Sequence, residues 1–160
     1  MDTIPTHLAA GTEDPQTRTP LVSLVLAYAA MIPVVVGAVA VWLLPAQAPA
    51  ILRVTLILAG ALLCFFSGVR RGLSFRQPGG PTLTQLATTI LFFGLGFASL
   101  LSPWPLVSVL ILLAGYLAMI ILDPIAARRG EAPRYFSRLR PVQLLLPIAS
   151  LASLLIRLLG

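Results

Sequence analysis

The chain has 160 residues, 58% hydrophobic and 10% charged, with a mean hydropathy of +0.98; that balance excludes a water-soluble domain, which needs enough polar groups to cover its surface. All eleven basic residues are arginines, and five acids leave a formal net charge of +6. The arginines flank apolar segments instead of forming a basic face, which argues against nucleic acid as a partner and for anionic lipid headgroups.

In chain order, residues 1–20 carry Asp2, His7, Glu13, Asp14 and Arg18 among Thr, Pro and Gly. They have neither a basic leader nor a short apolar stretch before a small-residue cleavage site, so an uncleaved, disordered cytoplasmic tail is expected, with His7 solvated. Residues 21–160 then read as one membrane domain. A helix needs about 20 mostly apolar residues to cross about 30 Å of hydrocarbon, and five segments meet that: 21–44, 50–69, 82–101, 104–122 and 141–159. The breaks between them are PAQAPA, RQPGGP, SPWP and the longer DPIAARRGEAPRYFSRLR, all rich in turn formers and charge. The apolar runs are continuous, not alternating, which excludes a membrane β-barrel. The expected fold is an all-α integral membrane protein, a five-helix transmembrane bundle with short loops and no room for a separate catalytic domain.

Arginine placement orients the bundle. Arg18, Arg70, Arg71, Arg76, Arg128, Arg129, Arg134, Arg138 and Arg140 share one side, and only Arg53 and Arg157 fall on the other. The positive-inside rule places the N-terminus in the cytoplasm and the C-terminus outside, with Trp42 and Trp104 at the outer boundary. The lysine-free, Ala-, Leu- and Arg-rich composition favours a bacterial inner membrane, with the mitochondrial inner membrane as the alternative. Pro33 and Pro147 are expected to bend their helices. Gly94 and Gly96, and the Gly68/Gly72 spacing, are candidates for close helix approach.

Three groups of residues are candidates for chemistry. The first is an inner-boundary charge cluster of Arg70, Arg71, Asp123, Arg128 and Arg129. Asp123 ends the expected fourth span just before Pro124, where a carboxylate meets the unfavourable end of the helix dipole and wants a cation; Arg70 or Arg71 is a plausible partner, and a solvated interfacial aspartate is the alternative. The second lies in PRYFSRLRP at 133–141. Pro133 has helix-start character, Tyr135, Phe136 and Leu139 fall on one face, and Arg134, Arg138 and Arg140 point toward water, so a short interfacial helix is expected that anchors the chain or contacts an anionic lipid or partner protein. The third is a polar path of Gln85, Thr88, Thr89 and Tyr116, which either lines a substrate route or satisfies itself on carbonyls and neighbouring helices. Cys64 lies alone in an apolar run, with no CxxC or Cys/His cluster, so no metal or other cofactor is expected.

Ile32-Pro33, the boundary formed by Phe66, Gly68 and Gly72, Asp123, and Pro133, Tyr135, Phe136, Leu139 and Arg140 together resemble a family of small multispan membrane proteins of uncharacterised function. The family includes the proteins called transmembrane protein 69, and the resemblance covers most of residues 25–157. It implies a His-Trp pair at the boundary motif; this chain has Arg70 and Arg71 there, a departure that tells against metal or proton handling by an imidazole.

The sequence holds no nucleophile with a base, no phosphate loop and no cofactor motif. The leading expectation is therefore a non-enzymatic accessory or assembly component of the inner membrane. It would pack with anionic lipid headgroups on the inner face and with a membrane-protein partner or further copies of itself. A small transporter or channel is the alternative. An enzyme acting on lipid through Asp123 and Tyr116 is the weakest reading, since a lone carboxylate among arginines resembles a structural pair as much as a general base.

Overall fold

The computed structural model describes residues 25, 28–75, 80–129 and 136–160, with side chains in the last stretch described from Arg140 onward. All regular structure among them is helical: α1 (Ile32–Leu43), a 3-10 turn (Pro45–Gln47), α2 (Ala48–Ser74), α3 (Leu83–Leu101), α4 (Pro105–Arg128) and α5 (Phe136–Leu159). Four stretches, Pro45–Ser74, Leu83–Leu101, Pro105–Arg128 and Arg140–Leu159, are long and apolar enough to cross a membrane. The fifth apolar helix, α1, has 12 residues, and much of the expected first span before it lies outside the described residues, as does the expected tail.

Local chemistry explains the helix starts. Proline opens α1, the 3-10 turn, α2 and α4 at their first or second position, where its missing N–H is an unsatisfied group in any case. The start of α3 is closed by a capping box: the Gln85 N–H donates to Thr82 Oγ1 (3.3 Å) and the Thr82 N–H to Gln85 Oε1 (3.1 Å), satisfying two orphan donors reciprocally.

Two helices run past the boundaries expected from sequence. α2 continues to Ser74, so Arg70 and Arg71 are inside it. α4 continues through Asp123 and Pro124 to Arg128. Asp123 is thus a helix-interior residue five positions from the end, and its environment is set by neighbouring side chains instead of by exposed terminal carbonyls. Pro124 is tolerated because it withholds a single donor, the one that the carbonyl of Ile120 would otherwise meet. The described part of the expected interfacial segment, residues 136–140, is continuous with α5, which passes through Pro141 and Pro147.

The helices pack α1–α2, α2–α3, α3–α4, α4–α5 and α5–α1, with α2 and α4 also touching across the bundle. The core between them includes Met31, Val34, Leu63, Phe92, Leu112, Tyr116, Met119, Leu144 and Leu151, all fully enclosed. A close backbone approach joins α2 to α3. A Cβ added to Gly96 would stand 2.9 Å from the Gly60 carbonyl oxygen and 3.0 Å from the Cys64 nitrogen, so only glycine permits this crossing. Gly94, Gly68 and Gly72, by contrast, face open space, and of the four glycines expected at close contacts Gly96 alone makes one. Hydroxyls add ties between helices: Ser67 to the Thr89 carbonyl (2.7 Å), Ser108 to the Ser99 carbonyl (3.0 Å) and Tyr116 to the Ala59 carbonyl (2.8 Å). Large apolar side chains such as Leu83, Ile90, Phe65 and Ile121 point outward, a surface suited to hydrocarbon and not to water.

Candidate functional site at one end of the bundle

Near the C-terminal ends of α2 and α4 and the N-terminal ends of α3 and α5, side chains from α2 and α5 meet the Asp123 carboxylate of α4, and α3 joins them through Arg70. Arg70 on α2 donates from Nη1 to Asp123 Oδ1. Arg140 on α5 stands on the other oxygen, with Nε 3.7 Å from Oδ2, an ion pair longer than a hydrogen bond. Arg70 also donates from Nη2 to Thr88 Oγ1 on α3 (3.2 Å). Two rings cover the guanidinium groups: Phe92 lies 5.3 Å from Arg70 Cζ, and Phe66 lies 4.4 Å from Arg140 Cζ, within range of a cation–π attraction.

The carboxylate and Arg140 are enclosed, and Arg70 is partly so. Asp123 is 6% exposed and Arg140 5%. A lone carboxylate here would carry a large desolvation penalty, and two guanidinium groups on opposite oxygens offset it. The local sequence places these groups by helical period. On α5 the buried positions are 140, 143, 144, 147, 150, 151 and 154, a single stripe of three- and four-residue steps that carries Arg140 and Gln143 inward with Leu144, Leu151 and Leu154. On α4, Gly115, Tyr116, Met119 and Asp123 form the corresponding stripe.

Of the expected charge cluster, the structure brings Arg70 and Asp123 together and leaves the rest apart. Arg71 turns to its own helix end: it donates to Ser74 Oγ (2.9 Å) and lies 4.0 Å from the centre of the Phe75 ring. Arg128 and Arg129 are exposed at the end of α4. Arg140, expected on the water-facing side as a lipid or partner contact, is instead buried against Asp123. Arg134 and Tyr135 lie outside the described residues, and for Phe136 and Arg138 the backbone alone is described.

The polar path is largely self-satisfied. The single hydroxyl hydrogen of Thr88 is shared between the carbonyls of Thr84 (2.9 Å) and Gln85 (3.1 Å), while its oxygen accepts from Arg70. Thr89 contributes its carbonyl to Ser67, and Tyr116, fully buried, donates to Ala59. Gln85 is the exception: its Oε1 completes the cap, and its buried Nε2 has no hydrogen-bond partner among the described residues. The described residues hold no group of three or more His, Cys, Asp or Glu able to bind a metal ion.

Sequence reasoning missed the roles of Phe66 and Phe92 in covering the charges. Three residues on which the family resemblance rests, Phe66, Asp123 and Arg140, meet at this one site. The family described as "Protein of unknown function (DUF3429)" matches residues 19–159. The chain belongs to this family. No curated protein and no solved structure matches it. The members of this uncharacterised family offer no activity to carry over, so the DUF3429 chain must be read from its own geometry.

Proposed function

We propose that this DUF3429 protein is a non-enzymatic component of a bacterial inner membrane, acting as an accessory or assembly factor that packs against other membrane proteins or lipids. The observation that carries the reading is the engagement of its one described buried carboxylate. Both oxygens of Asp123 face guanidinium groups, and a carboxylate so held is a joint between helices, unsuited to serve as a general base. The arrangement of arginines supports an N-terminus in the cytoplasm and a C-terminus outside, and the resemblance to the transmembrane protein 69 proteins belongs to the same proposal.

The test is crosslinking in native membranes followed by mild-detergent purification and mass spectrometry. A stoichiometric membrane-protein partner or a homo-oligomer is expected; a chain that stays monomeric and uncrosslinked overturns the reading. The buried, unpartnered amide nitrogen of Gln85, at the residue whose carbonyl accepts from Thr88, favours a second reading as a small transporter or channel. Reconstituted vesicles should then show a solute flux that Gln85→Ala reduces, and an absence of flux over a broad solute panel removes it.

A further inference from the structure

At the end of the bundle opposite Asp123, α1 and α5 part to leave a groove of about 310 Å³. Val35, Val39 and Leu43 on α1 face Ala149 and Ser150 on α5 across it. Its walls offer little hydrogen bonding, because the Ser150 hydroxyl is taken by the Leu146 carbonyl (2.8 Å). One end is closed by Trp42, whose Nε1 donates to Ser153 Oγ (2.9 Å). Beyond that, one helical turn after Ser153, Arg157 places Cζ 5.6 Å from the Trp42 ring centre. Arg157 is exposed, and among the described residues no carboxylate pairs with it.

We propose that this groove is a phospholipid site: one acyl chain lies between α1 and α5, and the phosphate of an anionic headgroup sits on Arg157. The α5 wall lies within the apolar, span-length stretch Arg140–Leu159 and the α1 wall within the shorter apolar helix Ile32–Leu43, a setting in which the medium beside the groove is hydrocarbon and an acyl chain meets no desolvation cost on moving in. Arg157 stands about 6 Å further along the helix than Ser153, the order in which a tail and its headgroup follow one another. Its charge complements phosphate, and indole, fixed by Ser153, holds the guanidinium at the rim. A second copy of the chain or another apolar helix would fill the walls equally well but would leave Arg157 without an anion, and charge complementarity therefore selects the lipid. The site does not depend on the accessory role above, since it is read without any protein partner.

Trp42 is itself the reporter. The full chain carrying Trp104→Phe, so that Trp42 is the sole indole, is placed in phosphatidylcholine nanodiscs with increasing fractions of lipid brominated in its acyl chains. Brominated phosphatidylglycerol should reach half-maximal quenching at a mole fraction about fivefold lower than brominated phosphatidylcholine, the ratio expected for one basic side chain at an anionic headgroup. Arg157→Gln should bring the two curves together. Ala149→Leu, which fills the groove from an exposed position, should lower maximal quenching by both lipids. Equal curves in the parent, a headgroup preference that survives Arg157→Gln, or quenching unaffected by Ala149→Leu would each overturn the proposal. So would a Trp42 shielded from both lipids by a second copy.

Discussion

Two arginines, each set over an aromatic ring, mark the two ends of this bundle. Arg140 lies 4.4 Å from Phe66 and is buried beside Asp123; Arg157 lies 5.6 Å from Trp42 and is exposed, with no carboxylate beside it among the described residues. The pairing is the same and the consequences differ. Where the guanidinium is enclosed, the ring only supplements an ion pair without which the charge could not remain folded inside. Where it is open, solvent or headgroups supply the counter-charge, and the ring merely orients the side chain. Burial, not the contact itself, decides whether an arginine is part of the structure or available to a ligand.

The sharpest break of that comparison is Asp123→Asn. Removing the carboxylate leaves Arg70 and Arg140 enclosed without their anion, and breaking a buried pair from one side costs about 3–5 kcal/mol. Denaturation in mixed micelles should show this loss, or no folded protein should be recovered. Replacing the group as a unit, Asp123→Leu with Arg70→Met and Arg140→Met, should recover most of it, because apolar residues of similar volume need no compensation. An Asp123→Asn protein as stable as the parent would mean that the enclosed end behaves like the open one.

A smaller loss is expected at the α2–α3 crossing. Gly96→Val places new atoms against the Gly60 carbonyl and the Cys64 nitrogen, and forcing two helix backbones apart costs about 1–3 kcal/mol. Gly94→Val, which faces open space, should leave the same denaturation curve within about 0.5 kcal/mol.

How much of this was legible in the sequence depends on the kind of signal. The all-helical architecture followed from apolar run length, and so did the start of α3 near residue 82; the Thr82/Gln85 cap that fixes it was seen only in the structure. The charged end was only half legible. Asp123 and Arg70 were recognisable as a pair, but the choice between Arg70 and Arg71 was not: in the α2 stripe of Leu63, Ser67 and Ser74, positions 70 and 71 both fit the period. Arg140 was legible in principle, since it falls in register with Leu144, Leu151 and Leu154. The expectation of an interfacial helix assigned it to water instead, because an arginine is so rarely buried unless a carboxylate on another helix answers it. That answering contact, 17 residues away across a turn of the chain, is tertiary and leaves no local trace. The groove beside Trp42 was illegible for the same reason, being a gap between helices distant in sequence.

The smallest effect separates the neighbours Arg70 and Arg71. Among the described residues Arg71 reaches Ser74 and Phe75, at its own helix end, and exposed or half-exposed contacts of this kind are worth at most about 0.5 kcal/mol. Arg71→Gln should therefore leave the denaturation midpoint in micelles nearly unchanged, whereas Arg70→Gln should approach the loss seen for Asp123→Asn, because it takes away the donor to Oδ1 and leaves the carboxylate to Arg140 alone. If the two substitutions destabilise alike, Arg71 is exchanging with Arg70 at Asp123, and the enclosed end is a shared pair instead of a fixed one. If only Arg70→Gln matters, one helical step of about 100° is what separates a structural charge from a surface one.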